Sequence, residues 1–493
     1  MEQRPDRQAK RMAVAAASAQ PDAPAGGIVR LVVTADNHLS AYTPRLTPQR
    51  LSERRARLRQ AFTRVVDEAI ARQAHLFIQA GDLFDSTEPR NLEREFVAAQ
   101  LARLRDAGIH AFAISGNHDT PRQRTEHGGY SPQGVYAELG GLHYFPESHR
   151  ILPVSVSVGG LRLAVAGLSS NPGAPPGADP LDGVELDDPD GSLARADLGI
   201  LVLHAMIEGH GFPGEDESIV RRASLMRLPG FRLVLAGHVH AYRRFTIGDK
   251  VVVVCGPTER MEFGAAERTP GFAYLELSHD GLRHAEHIAI PPQPRHVVTV
   301  RTLELWPPRR SAPTLADSIT NPEHADTLPQ GLAEMPTSAP ADVVADVVTP
   351  AASGVPLADT LPAPGEEGSH GPTQALIKRL EPACTSEAMV RLRLEGPITP
   401  EQYRALDLRQ VWITGQRRAF SFEVDETGLF IQLEGPHDIV ARGERVAPHE
   451  MLEQVAREWL ERAETAEERA LLVKTRERVL ASYDQLTGRE ART

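Results

Sequence analysis

Short apolar runs recur along the first half of the chain, and each stops at a small polar cluster rich in aspartate, asparagine and histidine. Residues 28–35 end at Asp36-Asn37-His38, residues 75–80 at Gly81-Asp82 with Asp85 close behind, and residues 110–115 at Gly116-Asn117-His118-Asp119. Residues 198–203 end at His204, and residues 231–236 at Gly237-His238-Val239-His240. Runs this short and this uniformly apolar read as strands buried on both faces. Helical patterns lie between the first three. Leu51, Leu58, Phe62, Val65, Val66, Ala69 and Ile70 recur at helical spacing over 48–72, and a second helix is predicted near 91–106, closed by Gly108. Further strands are predicted at 161–168, 251–255 and 271–277. The alternation predicts an α/β domain. In such folds ligands gather beyond the carboxyl ends of strands, where all five polar clusters fall.

At 493 residues the chain is long enough for two or three folded units. Pro291 to Pro294 mark a boundary, after which residues 296–305 alternate like a strand. Residues 307–374 are dominated by Pro, Ala, Thr and carboxylates without amphipathic period, and read as a flexible acidic insert. Strand-like runs return at 390–394, 411–414, 419–424 and 429–433, predicting a small α+β unit split by the insert. From about Pro448 the pattern is helical. Met451, Leu452, Val455 and Trp459 share one face, and Leu472, Val479 and Tyr483 continue in a second helix. Residues 1–27 read as a disordered tail. Arg4, Arg7, Lys10 and Arg11 precede a stretch faintly like a signal peptide, but it is short and nearly all alanine.

Cys255 and Cys384 are the only cysteines and form no CxxC pair, which argues against a disulfide framework or a thiolate zinc site and fits a reducing compartment. No run of 18 apolar residues occurs, so no membrane-spanning helix is predicted. The formal charge of −12 looks unsuited to a nucleic-acid partner. Nine carboxylates without a single Lys or Arg lie between Ser311 and Leu376, however, and they leave only −3 for everything else. Local arginine clusters can then dominate the field of the folded parts.

A Gly-Asp pair or a lone histidine is ordinarily a turn or a satisfied core residue. Five such clusters in order, each at a strand end, are hard to produce by chance. Asp36-x-His38 and His238-x-His240 set two side chains at i and i+2, where both can reach metals roughly 3.5–4 Å apart. Glycine before Asp82, Asn117 and His238 permits tight backbone there. Mixed Asp, His and Asn donors suit Mn²⁺, Fe²⁺ or Zn²⁺ in a bridged pair, and a common use of such a pair is phosphate-ester cleavage.

The clusters resemble the calcineurin-like metallophosphoesterase signature: Asp-x-His, Gly-Asp-x-x-Asp, Gly-Asn-His-Asp, His, Gly-His-x-His. More narrowly, residues 255–264 and 271–276, a small second domain and a helical region from Ala447 resemble the SbcD/Mre11-type family of DNA double-strand-break repair exonuclease subunits. The resemblance covers 28–306 and, more loosely, 375–490. It implies a sandwich of mixed β-sheets flanked by helices over 28–290. It further implies a capping, DNA-binding domain over 295–445 interrupted by the insert, and a helical partner-binding region over 446–493. It implies one divalent metal, with Mn²⁺ the leading candidate, on Asp36, His38, Asp82 and His240, and a second on Asp82, Asn117, His204 and His238, with Asp82 shared. His118 would protonate the leaving oxygen after attack by a metal-activated water, and Asp85 would orient His118. Asp85 departs from archaeal and eukaryotic relatives, which often carry histidine there. The implied partners are DNA and an SbcC-type coiled-coil ABC ATPase, in a heterotetramer containing a homodimer of this chain. The implied location is cytoplasmic and nucleoid-associated, with no membrane.

Arg45, Arg50, Arg54, Arg55, Arg57 and Arg59 crowd the segment after the first cluster, Arg122 and Arg124 follow the third, and Arg243 and Arg244 the fifth. Arg122, Arg124, Arg55 and Arg59 are candidates for phosphate contacts. Against that, arginines on a helix face are commonly solvated and partnered, here by Glu53, Asp67 and Glu68. Two other functions stay open: a small-molecule phosphodiesterase or phosphatase on the same domain, and a non-catalytic DNA-end scaffold. The C-terminal extension argues against the first and the intact metal set against the second.

Overall fold

The first strand, β1 (Val29–Thr34), shows why these runs are mostly apolar. Val29, Leu31 and Val33 point into one core, and Val32 points into another on the opposite face. A computed structural model of the chain describes residues 27–121, 131–171, 173–211, 218–263, 269–306, 371–432, 455–457, 459–460 and 465–487. Nearly all of the expected tail (1–27) and of the insert (307–374), together with Arg122, Arg124, Met451 and Leu452, lies outside them.

The other strands of the first two sheets are β2 (Leu76–Ala80), β3 (His110–Ile114), β4 (His143–Phe145), β5 (Val154–Val158), β6 (Leu161–Leu168), β7 (Leu198–His204), β8 (Phe231–Gly237), β9 (Arg243–Ile247), β10 (Lys250–Val254), β11 (Gly271–Ser278) and β12 (Gly281–Ala289). One six-stranded sheet has the order β12-β11-β1-β2-β3-β4, the other β9-β10-β8-β7-β6-β5. Each is mixed: β1, β2, β3 and β4 run parallel, as do β6, β7, β8 and β10, while β11, β12, β5 and β9 pair antiparallel with their neighbours.

Between the sheets lies a core of Leu31, Val33, Ile78 and Phe112 facing Leu163, Val165, Ile200, Val202 and Leu235. The first sheet's outer face is covered by α1 (Pro48–Ala71) and α2 (Asn91–Asp106), through Leu58, Phe62, Val65, Leu101 and Leu104. Thr47 caps α1, accepting from the Arg50 amide at 3.3 Å, and Pro48 opens its first turn. The expected α/β sandwich of mixed sheets flanked by helices is therefore present. The strand predictions hold to within a residue or two, because a strand buried on both faces leaves a continuous apolar run.

A third sheet, β13 (Arg295–Arg301), β14 (Met389–Ile398) and β15 (Ser421–Ile431), is parallel throughout. Its inner face packs Val300, Val390, Leu392, Leu394 and Phe422 against α3 (Pro372–Leu380) and α4 (Leu408–Arg418). Here two predictions fail: the strand-like run over 296–305 gives way to a short helix at Thr302–Leu305, and residues 411–414 are helical. Their β-branched composition suggested a strand, but Asp407 caps the segment by accepting from the Gln410 amide at 2.8 Å. Gly415 then brings the helix against the Phe422 ring, where a Cβ would stand 2.4 Å from the ring carbon. Packing has overridden propensity. The two runs at 419–424 and 429–433 are one strand, β15.

The chain divides into two compact units, residues 1–431 and 432–493. The second contains the helix α5 (Ala466–Thr487), with Leu471 and Val479 exposed, and exposed Trp459. Among the described residues no helix is long and apolar enough to cross a membrane.

Candidate metal centre

Five parallel strands from two sheets end at one place. Asp36 and His38 follow β1, Asp82 follows β2, Asn117 and His118 follow β3, His204 ends β7, and His238 and His240 follow β8. The backbone that aims them is unusual. Asp36, His38, Asp82 and His238 all have positive φ, at 50°, 45°, 54° and 85°. Such conformations cost roughly 1–3 kcal/mol each and persist where surroundings impose them. The imposition is visible: the Asp36 amide donates to Gly81 O (3.0 Å), the His38 amide to Asp82 O (3.1 Å), and the His238 amide to Asp36 Oδ1 (2.9 Å).

Glycine precedes three of the donors for two different reasons. Gly81 has a φ of +89° and also leaves room for the His204 ring, whereas Gly116 and Gly237 do not lie in the left-handed region and are needed for space alone. A Cβ on Gly116 would lie 2.0 Å from Asp82 Oδ1, and one on Gly237 would lie 2.2 Å from Ala80 O.

The seven expected ligands are brought together. Asp36, His38 and His240 present donor atoms within 4.8 Å of one another, as do Asp36, Asp82 and His204. Asn117 Oδ1 lies 3.2 Å from His204 Nε2 and 3.1 Å from His238 Nδ1. Asp82 Oδ2 lies 3.3 Å from His204 Nε2 and 3.9 Å from His38 Nε2, between the two groups. His38 Nε2 faces His240 Nε2 at 3.4 Å, an approach of two imidazole nitrogens that calls for a cation or proton between them. Oxygen and imidazole donors without thiolate, mostly buried, fit divalent cations. Ala80 O takes His204 Nδ1 at 2.9 Å and Asp85 Oδ1 takes His38 Nδ1 at 3.1 Å. Each contact leaves Nε2 of its ring turned inward, the usual outer-shell arrangement of a ligating histidine.

The charges are strongly coupled. Burial opposes ionisation of Asp82, but His204, then His38 and His118, outweigh it and hold the carboxyl well below the ordinary range. Burial likewise opposes a charged His204, yet Asp82, Asp36 and the Ala80 carbonyl push its pKa up to about 9. His38 is raised as well: burial acts against it, and Asp85, Asp82 and Asp36 act for it.

His118 stands at the rim. Its side chain is 45% exposed, its ring crosses that of His38 edge-on at 4.8 Å between centroids, and its amide donates to Asp82 Oδ1 at 2.9 Å. Asp85 Oδ1 is 3.7 Å from His118 Nδ1. Asp85 thus holds His38 at hydrogen-bond distance and stands further from His118, the residue it was expected to orient.

Several contributors were not singled out from sequence. Asp119 is fully buried and accepts from the amides of Gly116 (2.7 Å) and Phe84 (3.1 Å) and from Gln133, tying the third cluster to the second. Burial, then the Asp82 charge, pushes its carboxyl up to about 7 against those donors. Glu262 Oε1 lies 3.6 Å from His240 Nδ1. The carboxylate of the third cluster was the one available signal; Glu262 had none.

The arginines after β1 have partners other than those expected. Arg50 donates to Ala419 O and Phe420 O, Arg57 pairs with Glu387, and Arg45 lies 3.8 Å from Glu423. Arg54, 1% exposed, reaches Glu259 (3.3 Å), Gln293 (3.0 Å) and Arg260 O (2.6 Å). Arg59 pairs with buried Glu93 at 2.8 Å, and Arg55 donates to Ala41 O at 3.1 Å. One stripe of α1 therefore grips the third sheet and its approach.

Comparison with known proteins agrees with this geometry. Residues 29–242, which carry all five clusters, match the calcineurin-like phosphoesterase family. This part of the chain is a calcineurin-like metallophosphoesterase domain. Its fold implies divalent metals, and the candidate donor groups are Asp36, His38 and His240, then Asp36, Asp82 and His204, together with a third, His38, Asp82 and His118, likewise within 4.8 Å of one another. Among curated proteins, the chain is similar to the DNA double-strand break repair protein Mre11 of Methanosarcina mazei (29% identity over 52% of this chain and 37% of that one). It is also similar to the protein of the same name from Haloferax volcanii (30% identity over 52% of this chain and 51% of that one). The chain spans about half or less of the length of these relatives. Among solved structures, the protein TT1561 of Thermus thermophilus aligns at a TM-score of 0.31 and 15% identity, over 53% of this chain and 99% of that one.

Proposed function

We propose that the chain is the nuclease subunit of a DNA double-strand-break repair complex, of SbcD type, cleaving phosphodiester bonds at DNA ends or hairpins. The observation that carries the reading is the convergence of Asp36, His38, Asp82, Asn117, His204, His238 and His240 on one place, with a half-exposed His118 at its rim within 4.8 Å of the donor atoms of His38 and Asp82. The similarity to Mre11 DNA double-strand break repair proteins supplies the DNA.

Asp36, His38, Asp82 and His240 would hold one metal, and Asp82, Asn117, His204 and His238 the other, with Mn²⁺ the proposed ion. Two such ions acidify water and neutralise phosphate charge when bound. His118, open to solvent on one side, gives its proton to the leaving oxygen. Asp85 fixes the ring of His38 and, from further away, faces that of His118. Arg122 and Arg124, a few residues beyond His118, and Arg55, near Asp85, are the proposed phosphate contacts. Arg59 is committed to Glu93 and is the weaker candidate. The third sheet serves as the capping domain. The exposed apolar residues of the second unit dock an SbcC-type coiled-coil ABC ATPase in a helix-in-groove mode, and the chain pairs with a second copy in a cytoplasmic heterotetramer.

The test uses the full chain with Mn²⁺ on linear duplex DNA and on a small phosphodiester, each with a chelator control. Both are hydrolysed on this reading, and chelation stops both. Cleavage of the small ester alone, even with the coiled-coil ATPase present, makes the protein a small-molecule phosphodiesterase instead.

A further inference from the structure

Tyr42 is held in a place that packing does not explain. The segment behind it is pinned and buried: Leu39 is 0% and Ala41 3% exposed. The Ala41 amide donates to His38 O at 3.1 Å, and Arg55 Nε donates to Ala41 O at 3.1 Å. The Tyr42 amide donates to Asp85 Oδ2 at 3.3 Å. The other oxygen of that carboxylate holds His38 and faces His118. With its backbone fixed this firmly, the Tyr42 side chain is nevertheless 67% exposed. Three residues further on, Arg45 is also largely exposed. An aromatic residue is thus presented to water by rigid backbone, one hydrogen bond from the carboxylate that lies between His38 and His118.

We propose that Tyr42 is a stacking platform for an unpaired nucleobase of the strand being cut, so that the site takes a frayed or single-stranded nucleotide. The inference rests on the nuclease reading and adds its substrate state. Every base has a π-face, so such a platform is indifferent to sequence, and base–aromatic stacking is strong enough to matter. A base inside an intact duplex is already stacked on both sides and has no face to offer. Pinning the backbone lowers the entropy lost when the ring is covered.

The experiment uses the full-length protein and a single strand carrying 2-aminopurine, whose fluorescence falls on stacking. In the presence of chelator, wild type quenches the probe, Tyr42→Ala does not, and Tyr42→Trp does. With Mn²⁺, Tyr42→Ala raises KM on a base-bearing strand by about tenfold or more. Wild type and Tyr42→Ala coincide on a strand with abasic residues at the same positions. If Tyr42→Ala matches wild type in quenching and in KM on the base-bearing strand, the platform is refuted while the nuclease reading stands. If wild type hydrolyses a small phosphodiester but neither binds nor cuts DNA, the nuclease reading fails and the platform with it.

Discussion

At the residue scale, the buried proton of His204 has a measurable consequence. In the metal-free chain its pKa is raised to about 9. The stability this contributes is fully present below the unfolded value near 6.5 and is lost as pH rises through about 9. A metal must displace that proton, so affinity climbs over the same interval. Calorimetric Mn²⁺ titration at pH 7 in two buffers of different ionisation enthalpy should show proton release on binding, shrinking towards pH 9. Buffer-independent heats at pH 7 would contradict the assignment. His204 and the other donors could be read from sequence because Asp, His and Asn following apolar runs have few structural uses. Asp85 could not be assigned, because Asp-x-x-Asp spacing does not say which of two histidines the second carboxylate meets; the structure gives it to His38 at 3.1 Å. Nor could the reason for Gly116 be read, since its role is room for Asp82 and not a left-handed turn.

Elements were more legible than their contacts. The strands of the sandwich are visible as apolar runs because both faces are buried, and α1 and α2 are visible by period. Residues 411–414 were misread because a cap at Asp407 and a close approach at Gly415 lie outside what a four-residue β-branched run can report. The arginines of α1 illustrate the same limit. From sequence they are a basic patch; in the fold, Arg50, Arg54 and Arg57 recur at helical spacing and reach across to 259–260, 293, 387 and 419–420. The segment after β10 completes the link. Glu259 meets Arg54, Glu262 approaches His240, and Phe263 lies under Arg295 (5.2 Å) and Arg391 (4.4 Å) of the third sheet. Arg54→Ala takes the facing guanidinium from buried Glu259, leaving it only the Arg260 and Gln293 amides, and is expected to destabilise the chain by about 3 kcal/mol, read as a lowered denaturation midpoint. A double change, Arg54→Met with Glu259→Gln, recovers much of that loss. Equal stability of Arg54→Ala and wild type contradicts the structural role given to this arginine.

At the scale of the whole molecule, a metallophosphoesterase sandwich and a parallel three-stranded sheet are joined through α1 and the 257–263 segment, in which neighbouring residues face the metal centre (Glu262) and the third sheet (Phe263). This arrangement was legible only as two composition blocks separated at Pro291–Pro294. How they meet depends on tertiary contacts no local pattern encodes. The central claim is that seven residues hold the metals while His118, at the rim beside His38 and Asp82, is no ligand and carries the proton. His118→Ala tests it against wild type, with bound Mn²⁺ counted by elemental analysis and hydrolysis followed on linear duplex DNA. The account predicts equal metal content in the two proteins and a rate lowered by about 10²–10⁴-fold in the variant. A variant that cuts DNA as fast as wild type, or one whose lost activity tracks lost metal, contradicts it.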